Sequence, residues 1–245
     1  VRIPSLRYIA DGLELATASI GARSIAPEDR LVVVISDPPD GYNFLADIRT
    51  PYGGRTYVAP LRMEQLPDHS AALDSVDAIL ISNADSSVLS ADQRAALQSW
   101  MVAGGHLILS GGPNAPLTAG GFSDLVPAAA SGAIVQRSVV ALAQFTASRS
   151  LTSVAALAAD APAPIDPLRM IRDGVALVGP PEAPLVARRD LGRGMLDQLA
   201  FDASLAPLRD WRSRAGLFDA LLGGRVEAVA DFGQVRNELS ANAGA

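Results

Sequence analysis

Three polar side chains follow short apolar runs of the chain, where strands of an α/β sheet commonly deliver residues to a ligand. Asp37, Asn83 and Ser110 each come within two residues of a run of Val, Ile, Leu or Ala. In open parallel sheets, ligands bind beyond the carboxyl ends of the strands. The alternative is that these residues simply start loops, because Ser, Asp and Asn favour turns. The candidate ligand pocket comprises Asp37, Asn83, Ser110, Gly111, Gly112 and Asn114.

Ser110 is the one candidate for a serine nucleophile at a strand end. A G-x-S-x-G elbow requires a small residue two positions before the serine, where this chain has Ile108. The two histidines, His69 and His106, both precede Ser110, whereas the histidine of an α/β-hydrolase follows its serine. The spacing therefore argues against serine catalysis, and we assign no catalytic residue.

The glycine pair after Ser110 has two interpretations. Gly111 and Gly112 could cradle an anion through their backbone N–H groups. Pro113 removes the next donor, and no clear helix begins there. A tight turn that requires positive φ is the interpretation we favour.

We predict neither a metal site nor a cofactor. His69 and His106 have no carboxylates at close metal-ligand spacing, and the chain contains no Cys. We expect His106, next to Gly105 at the start of a strand, to be a surface or turn residue. We expect the pair Arg188 and Arg189 to form solvated ion pairs.

Composition excludes several mechanisms. All 20 basic residues are Arg, so a Schiff-base or Walker-A lysine is excluded, and the absence of Cys excludes a thiol nucleophile. The formal charge is −6 and no basic cluster is present, so we predict that nucleic acid is not a partner. No apolar run is long enough to span a bilayer, and we predict no direct membrane insertion by this segment.

The elements that would position these residues centre on residues 76–114. Short apolar runs with little alternation indicate buried parallel strands on either side of a helix. Ser90 and Gln93 have the spacing of a capping box, and Gly104 is placed to end the helix. The clearest buried strand is 31–35, and 57–61 is a second candidate. Trp100 and Trp211 are expected in the core or at an interface.

The remaining chain is less clearly patterned. The region 113–127 is expected to be a long ordered loop, and 134–140 a strand. Residues 175–178, 185–189 and 195–201 resemble antiparallel hairpins at one margin of the sheet, and 211–222 a last helix. We expect one α/β domain over 1–245, with its core at about 31–223 and with 1–30 and 225–245 peripheral. A helix face near the N-terminus would contain Tyr8, Ile9, Leu13, Leu15 and Ile20.

The order of strand, capped helix, Val-Ala-Gly-Gly, second strand and Gly-Gly resembles the class I glutamine amidotransferase-like superfamily, in particular its non-catalytic ThuA-like and membrane-associated bacterial relatives. The resemblance covers about residues 31–125. It implies a flavodoxin-like, three-layer α/β fold with an open, mostly parallel sheet and antiparallel hairpin strands near the C-terminal end. The family's catalytic Cys would fall near Ser110 and Gly111, so its glutaminase mechanism is excluded here.

The sequence thus favours a non-catalytic domain that binds a ligand or a protein. The resemblance implies that its partners are other domains or subunits of a larger envelope-associated bacterial protein. Because the chain begins at Val1, we expect an excised, soluble segment. Together with the tail, the resemblance implies an extracytoplasmic location, with a cytoplasmic location as the alternative. The alternative function is an atypical hydrolase or carbohydrate-related enzyme that uses Asp37, Asn83 and Ser110.

Overall fold

The computed structural model describes residues 5–19, 24–149 and 162–223. The strands in these ranges are β1 (Ser5–Ala10), β2 (Leu13–Ser19), β3 (Arg30–Ser36), β4 (Thr56–Pro60), β5 (Ala78–Ser82), β6 (His106–Leu109), β7 (Ala128–Ala130), β8 (Val135–Arg137), β9 (Ala163–Ile165), β10 (Leu168–Met170), β11 (Val175–Val178), β12 (Val186–Leu191) and β13 (Gly194–Leu199). The α-helices are α1 (Ala91–Ala103), α2 (Ala115–Ala119), α3 (Val140–Arg149) and α4 (Arg214–Leu222).

A seven-stranded sheet organises the fold, in the order β4, β3, β5, β6, β13, β12 and β11. The first five of these strands are parallel, and β12 and β11 are antiparallel to their neighbours. The predicted mixed α/β class, with a mostly parallel sheet and antiparallel hairpins, is confirmed. The hairpins are not all marginal, because β13 lies inside the sheet and pairs in parallel with β6.

Both faces of the sheet are covered by apolar side chains. On β3, Val32 belongs to a cluster that contains Phe218 of α4, whereas Val33 belongs to a second cluster that contains Leu97 of α1. Successive strand residues point to opposite faces, so β3 must be apolar at every central position. Full burial of such a side chain contributes about 1.5–3 kcal/mol. This explains why β3 was the clearest strand in the sequence.

Helix α1 begins and ends as the sequence predicts. Ser90 Oγ accepts a hydrogen bond from Gln93 N at 3.1 Å, and Gln93 Oε1 accepts one from Ser90 N at 3.0 Å. Gly104 has a φ of 133°, which favours glycine. Trp100 of this helix and Trp211 before α4 are both buried, as predicted. The capped helix therefore fixes the connection from β5 to β6.

The N-terminal helix prediction is wrong, because β1 and β2 form an antiparallel hairpin. Asp11 and Gly12, with φ of 52° and 76°, form its turn, and an Asp-Gly pair is a strong hairpin signal. Four of the five apolar residues predicted to form a helix face lie on the hairpin instead, and each is more than half exposed: Tyr8, Ile9, Leu13 and Leu15. The fifth, Ile20, lies outside the described residues.

The region predicted as a long loop is partly helical. It contains α2 and short 3-10 turns, and Phe122 and Val126 anchor it in the apolar cluster around α1. The predicted strand at 134–140 is shorter, at Val135–Arg137, and pairs with β9 outside the main sheet. Helix α3 begins at Val140, the last residue of the predicted strand, and its other residues lie where the sequence predicted no element. The tail 225–245 lies outside the described residues.

Candidate functional site

Asp37 and Asn83 lie side by side at the carboxyl edge of the sheet. Strands β3 and β5 are parallel neighbours, and Ser36 is in register with Ser82, so the residues that follow them are adjacent. The Asn83 side-chain amide donates a hydrogen bond to the Asp37 carbonyl oxygen. Asn83 has a φ of 50°, a left-handed conformation that Asn adopts more readily than most residues.

These two residues border a groove of about 410 Å³. Its other charged lining residues are Arg62 and Glu64, which follow β4, and Asp85, which follows Asn83. Hydrogen bonds from the Ser87 hydroxyl and backbone N–H lower the pKa of Asp85. The groove thus carries three carboxylates and one guanidinium. Sequence reasoning missed the contributions of Arg62, Glu64 and Asp85, although Arg62 and Glu64 directly follow a predicted strand.

Ser110 does not lie in this groove but in a buried hydrogen-bonded cluster, which we call the Tyr42 cluster. The Tyr42 hydroxyl lies 3.1 Å from both Ser82 Oγ and Ser110 Oγ and donates to Asp202 Oδ1 at 2.9 Å. Ser110 is only 2% exposed, and its hydroxyl also donates to the Phe201 carbonyl oxygen at 3.3 Å. The structure therefore brings Asp37 and Asn83 together but separates Ser110 from them.

The Tyr42 phenol is held in its neutral form. Burial and the negative charge of Asp202 raise the pKa of Tyr42 above its ordinary value, although the neighbouring hydroxyls of Ser110 and Ser82 oppose this. Asp202 also accepts a hydrogen bond from Ser204 N at 2.7 Å. No histidine takes part in the cluster among the described residues. Ser110 consequently lacks the base that would activate a serine nucleophile.

The glycines after Ser110 are used in packing. Gly111 N and Gly112 N donate to the carbonyl oxygens of Phe201 and Ala200 at 2.9 and 3.1 Å. A Cβ on Gly111 would lie 2.0 Å from the Leu199 carbonyl oxygen, and Gly112 has a φ of 73°. Their N–H groups are therefore already bonded within the protein, and the geometry is that of a tight turn rather than an open anion cradle.

Asn114 lies apart from both the groove and the Tyr42 cluster. It precedes α2, is half-buried, and its carbonyl oxygen accepts a hydrogen bond from Thr118 Oγ1 at 3.2 Å. Its side chain makes no capping hydrogen bond to that helix. The six predicted pocket residues therefore occupy three separate environments.

His106 is buried rather than on the surface, so that prediction is wrong. Its Nε2 lies 3.0 Å from Asp197 Oδ2, and Arg188 donates to both Asp197 oxygens at 2.6 Å. Burial opposes the ionisation of Asp197, but hydrogen bonds from Arg188 and the charge of His106 outweigh it and lower its pKa. The ion pair of Arg188 with Asp197 is therefore buried, whereas the sequence predicted a solvated pair. We call these three residues the Asp197 cluster.

The Asp197 cluster is a structural feature of the central strands. His106 is in register with Met195 at the start of the β6–β13 pair, and the cluster lies at the end of the sheet opposite the groove. Arg188 Nη2 also donates to the Leu221 carbonyl oxygen at 3.2 Å, which connects the sheet to the end of α4. A buried bidentate pair of this kind fixes strand and helix positions.

Within 5–19, 24–149 and 162–223, no group of three or more His, Cys, Asp or Glu residues could hold a metal ion. Over the same residues, no helix is long and apolar enough to cross a membrane.

The fold belongs to the mixed α/β class with a mostly parallel sheet, and solved structures share it. The chain is similar to the cytoplasmic protein STM1381 from Salmonella typhimurium LT2, with a TM-score of 0.55, 14% identity, and coverage of 79% of this chain and 98% of that chain. It is also similar to the cytoplasmic protein STM3548 from Salmonella typhimurium, with a TM-score of 0.54, 12% identity, and coverage of 79% and 97%. At these identities the likeness shows the fold alone. No model of a protein family and no curated protein matches the sequence.

Proposed function

We propose that this chain is a non-catalytic binding domain of flavodoxin-like, glutamine amidotransferase-like architecture. The observation that carries the proposal is the burial of the Ser110 hydroxyl, near which the resemblance would place the family's nucleophile. It lies against the Tyr42 hydroxyl and donates to a backbone carbonyl oxygen. A hydroxyl held in this way has neither a base to deprotonate it nor access to a substrate.

The groove beside Asp37 and Asn83 is the binding site in this proposal. Its volume of about 410 Å³ falls within the usual range for small-molecule sites. Three carboxylates and one guanidinium favour a polar ligand that carries hydroxyl or amine groups, because such groups donate to carboxylate oxygens. Asn83 stabilises the site by its hydrogen bond to the Asp37 backbone.

The alternative is an atypical hydrolase or carbohydrate-related enzyme that uses Asp37, Asn83 and Ser110. The neighbouring positions of Asp37 and Asn83 in one groove favour it. One observation weighs against it: Ser110 is buried outside the groove and cannot act on a substrate held by Asp37 and Asn83.

A thermal-shift screen of sugars, polyols, amino acids and polyamines, followed by calorimetry, tests the groove. We expect a compound whose binding is lost in the double variant Asp37→Ala and Asn83→Ala. Binding should persist in Asp47→Ala, which removes an exposed carboxylate outside the groove. The proposal fails if binding survives the double change. It also fails if the protein hydrolyses esters, amides or glycosides at rates that Ser110→Ala or Asp37→Asn abolishes.

The setting within a larger envelope-associated protein is the second part of the proposal, and it rests on the family resemblance. In that setting the domain would contact other domains or subunits, without nucleic acid as a partner. Cell fractionation of the full-length gene product tests this part. Recovery in the envelope fraction is expected, whereas recovery entirely in the cytoplasm would contradict it.

A further inference from the structure

A second cavity, separate from the groove, lies between α2 and β7. Its volume is about 380 Å³, and its surface is mainly apolar. Most of its lining residues are Ala, Gly, Pro or Ser, and none is charged. Small side chains leave room for a compact apolar body, and the absence of charge disfavours a charged ligand, which would lose its hydration without gaining a partner.

Gln198 of β13 is the principal polar side chain that lines this cavity. It is only 4% exposed, and its Oε1 accepts a hydrogen bond from Ala128 N at 3.1 Å. Its amide nitrogen, which carries two N–H donors, bonds to no residue in the described part of the chain. Side chains this deeply buried normally use their donors. The cavity therefore offers one fixed donor group on an apolar wall.

Strand β7 adds backbone groups on the same side. Ala128 and Ala130 are two residues apart on one strand, so their backbone amides face the same direction. The Ala128 amide faces Gln198, away from the paired strand β10. The amide of Ala130, which also lines the cavity, is thus directed to the same side of β7 as the amide of Ala128.

We propose that this cavity binds a small, uncharged molecule that has an apolar body and a carbonyl oxygen. The carbonyl oxygen accepts a hydrogen bond from the Gln198 amide nitrogen, and the apolar body packs against the small residues of α2 and β7. The volume is within the range of ligand sites that bury most of a small molecule.

The test uses nuclear magnetic resonance of isotopically labelled protein with two probes of nearly equal size. N-benzylacetamide is neutral and carries a carbonyl oxygen, whereas 3-phenylpropanoate carries a carboxylate. We expect N-benzylacetamide to shift the resonances of the Gln198 side chain and of Ala130, and the carboxylate to bind at least about tenfold more weakly.

Gln198→Glu keeps the oxygen that accepts from Ala128 N but removes the donors. It should weaken N-benzylacetamide binding by about tenfold, the value of one hydrogen bond. Gln136→Glu, at an exposed position on β8, is the matched control and should bind like the wild type. Ala119→Leu narrows the cavity from α2 and should also weaken binding, independently of Gln198.

Three results would overturn the proposal. The first is an absence of shifts at the cavity with N-benzylacetamide, and the second is equal affinity for the carboxylate. The third is an unchanged affinity of the folded Gln198→Glu variant for N-benzylacetamide. If that variant does not fold, the same result in Ala119→Leu overturns the proposal. Because the Asp37 groove is not involved, none of these results bears on the proposed function.

Discussion

Asp37 and Ser110 both follow buried parallel strands at the same edge of the sheet, but their surroundings are opposite. Asp37 is exposed beside a groove, whereas Ser110 is 2% exposed and shares a hydrogen-bonded cluster with Tyr42. The difference arises from the connections that cross the edge. The chain after β3 brings Tyr42 over the ends of β5 and β6, and the chain after β13 brings Asp202 to meet it. On the β4 side, the edge stays open.

The comparison shows that a polar residue at a strand end is accessible from outside the protein only if no connection covers it. In the Tyr42 cluster, the aromatic ring is packed against Phe218 of α4, with ring centroids 5.9 Å apart. The cluster therefore joins the sheet to the last helix. In the groove, by contrast, Asp37 makes no side-chain hydrogen bond to another described residue. The covered side contributes stability, and the open side is available to a ligand.

Substitution in the Asp197 cluster should have the largest effect on stability. Asp197→Ala leaves the Arg188 guanidinium buried without its carboxylate, and we expect a loss of about 3–5 kcal/mol in the free energy of unfolding. Urea denaturation measures this loss. Asp190→Ala, which removes an exposed carboxylate from the neighbouring strand, should cost less than about 1 kcal/mol. Similar small effects of both changes would contradict the structural role of the cluster.

Removal of the Tyr42 hydroxyl should have the next largest effect. Tyr42→Phe leaves Ser82, Ser110 and Asp202 without their shared partner, and we expect a loss of about 1–3 kcal/mol. Ser110→Ala removes only one member and should cost less than Tyr42→Phe. Denaturant unfolding of the two variants provides the measurement, and the reverse order would show that Tyr42 is not the centre of the cluster.

The Tyr42 cluster also makes the free energy of unfolding depend on pH in the alkaline range. The folded pKa of Tyr42 is raised above its ordinary value of about 10, so the unfolded chain releases this proton first. The stabilisation is fully present below pH 10 and is lost as the pH rises further. The free energy of unfolding of the wild type should therefore fall more steeply above that pH than that of Tyr42→Phe. Parallel slopes would indicate that the phenol ionises in the folded protein.

The smallest effects are expected at the open groove. Asn83→Ala places a residue that tolerates a φ of 50° less well than Asn does and removes the hydrogen bond to Asp37, which should cost about 1 kcal/mol. Asn83→Gly tolerates the backbone conformation and should cost less, although it loses the same hydrogen bond. Thermal unfolding compares the two variants. A loss as large as that of Tyr42→Phe would mean that the groove is part of the structural framework.

The sequence predicts the sheet best where physical constraints are local. Burial on both faces makes β3 continuously apolar, and the Ser90 capping box marks the start of α1 directly. The prediction fails for His106 because its partner, Asp197, lies on another strand, 91 residues further along the chain. No local pattern indicates such a contact. In the N-terminal segment, the spacing of apolar residues is compatible with a helix, whereas the Asp-Gly pair at residues 11 and 12 indicates the hairpin that the structure has.

The candidate site was predictable in part for the same reason. The pairing of Asp37 with Asn83 follows from the parallel register of β3 and β5, which the apolar runs indicate. The burial of Ser110 depends on Tyr42, which lies 68 residues earlier in the chain, and no local pattern connects the two positions. The sequence thus predicts where a strand ends, but it does not predict that a connection from a distant part of the chain covers that end.

Reaction of Ser110 with a serine-directed fluorophosphonate tests the central claim most directly. The folded protein is incubated with the reagent and its intact mass is measured, with Ser110→Ala as the matched control. The Tyr42 cluster predicts no adduct on Ser110, because its hydroxyl is buried and has no base. A single adduct on the wild type that is absent from Ser110→Ala would contradict the account and identify Ser110 as an accessible nucleophile.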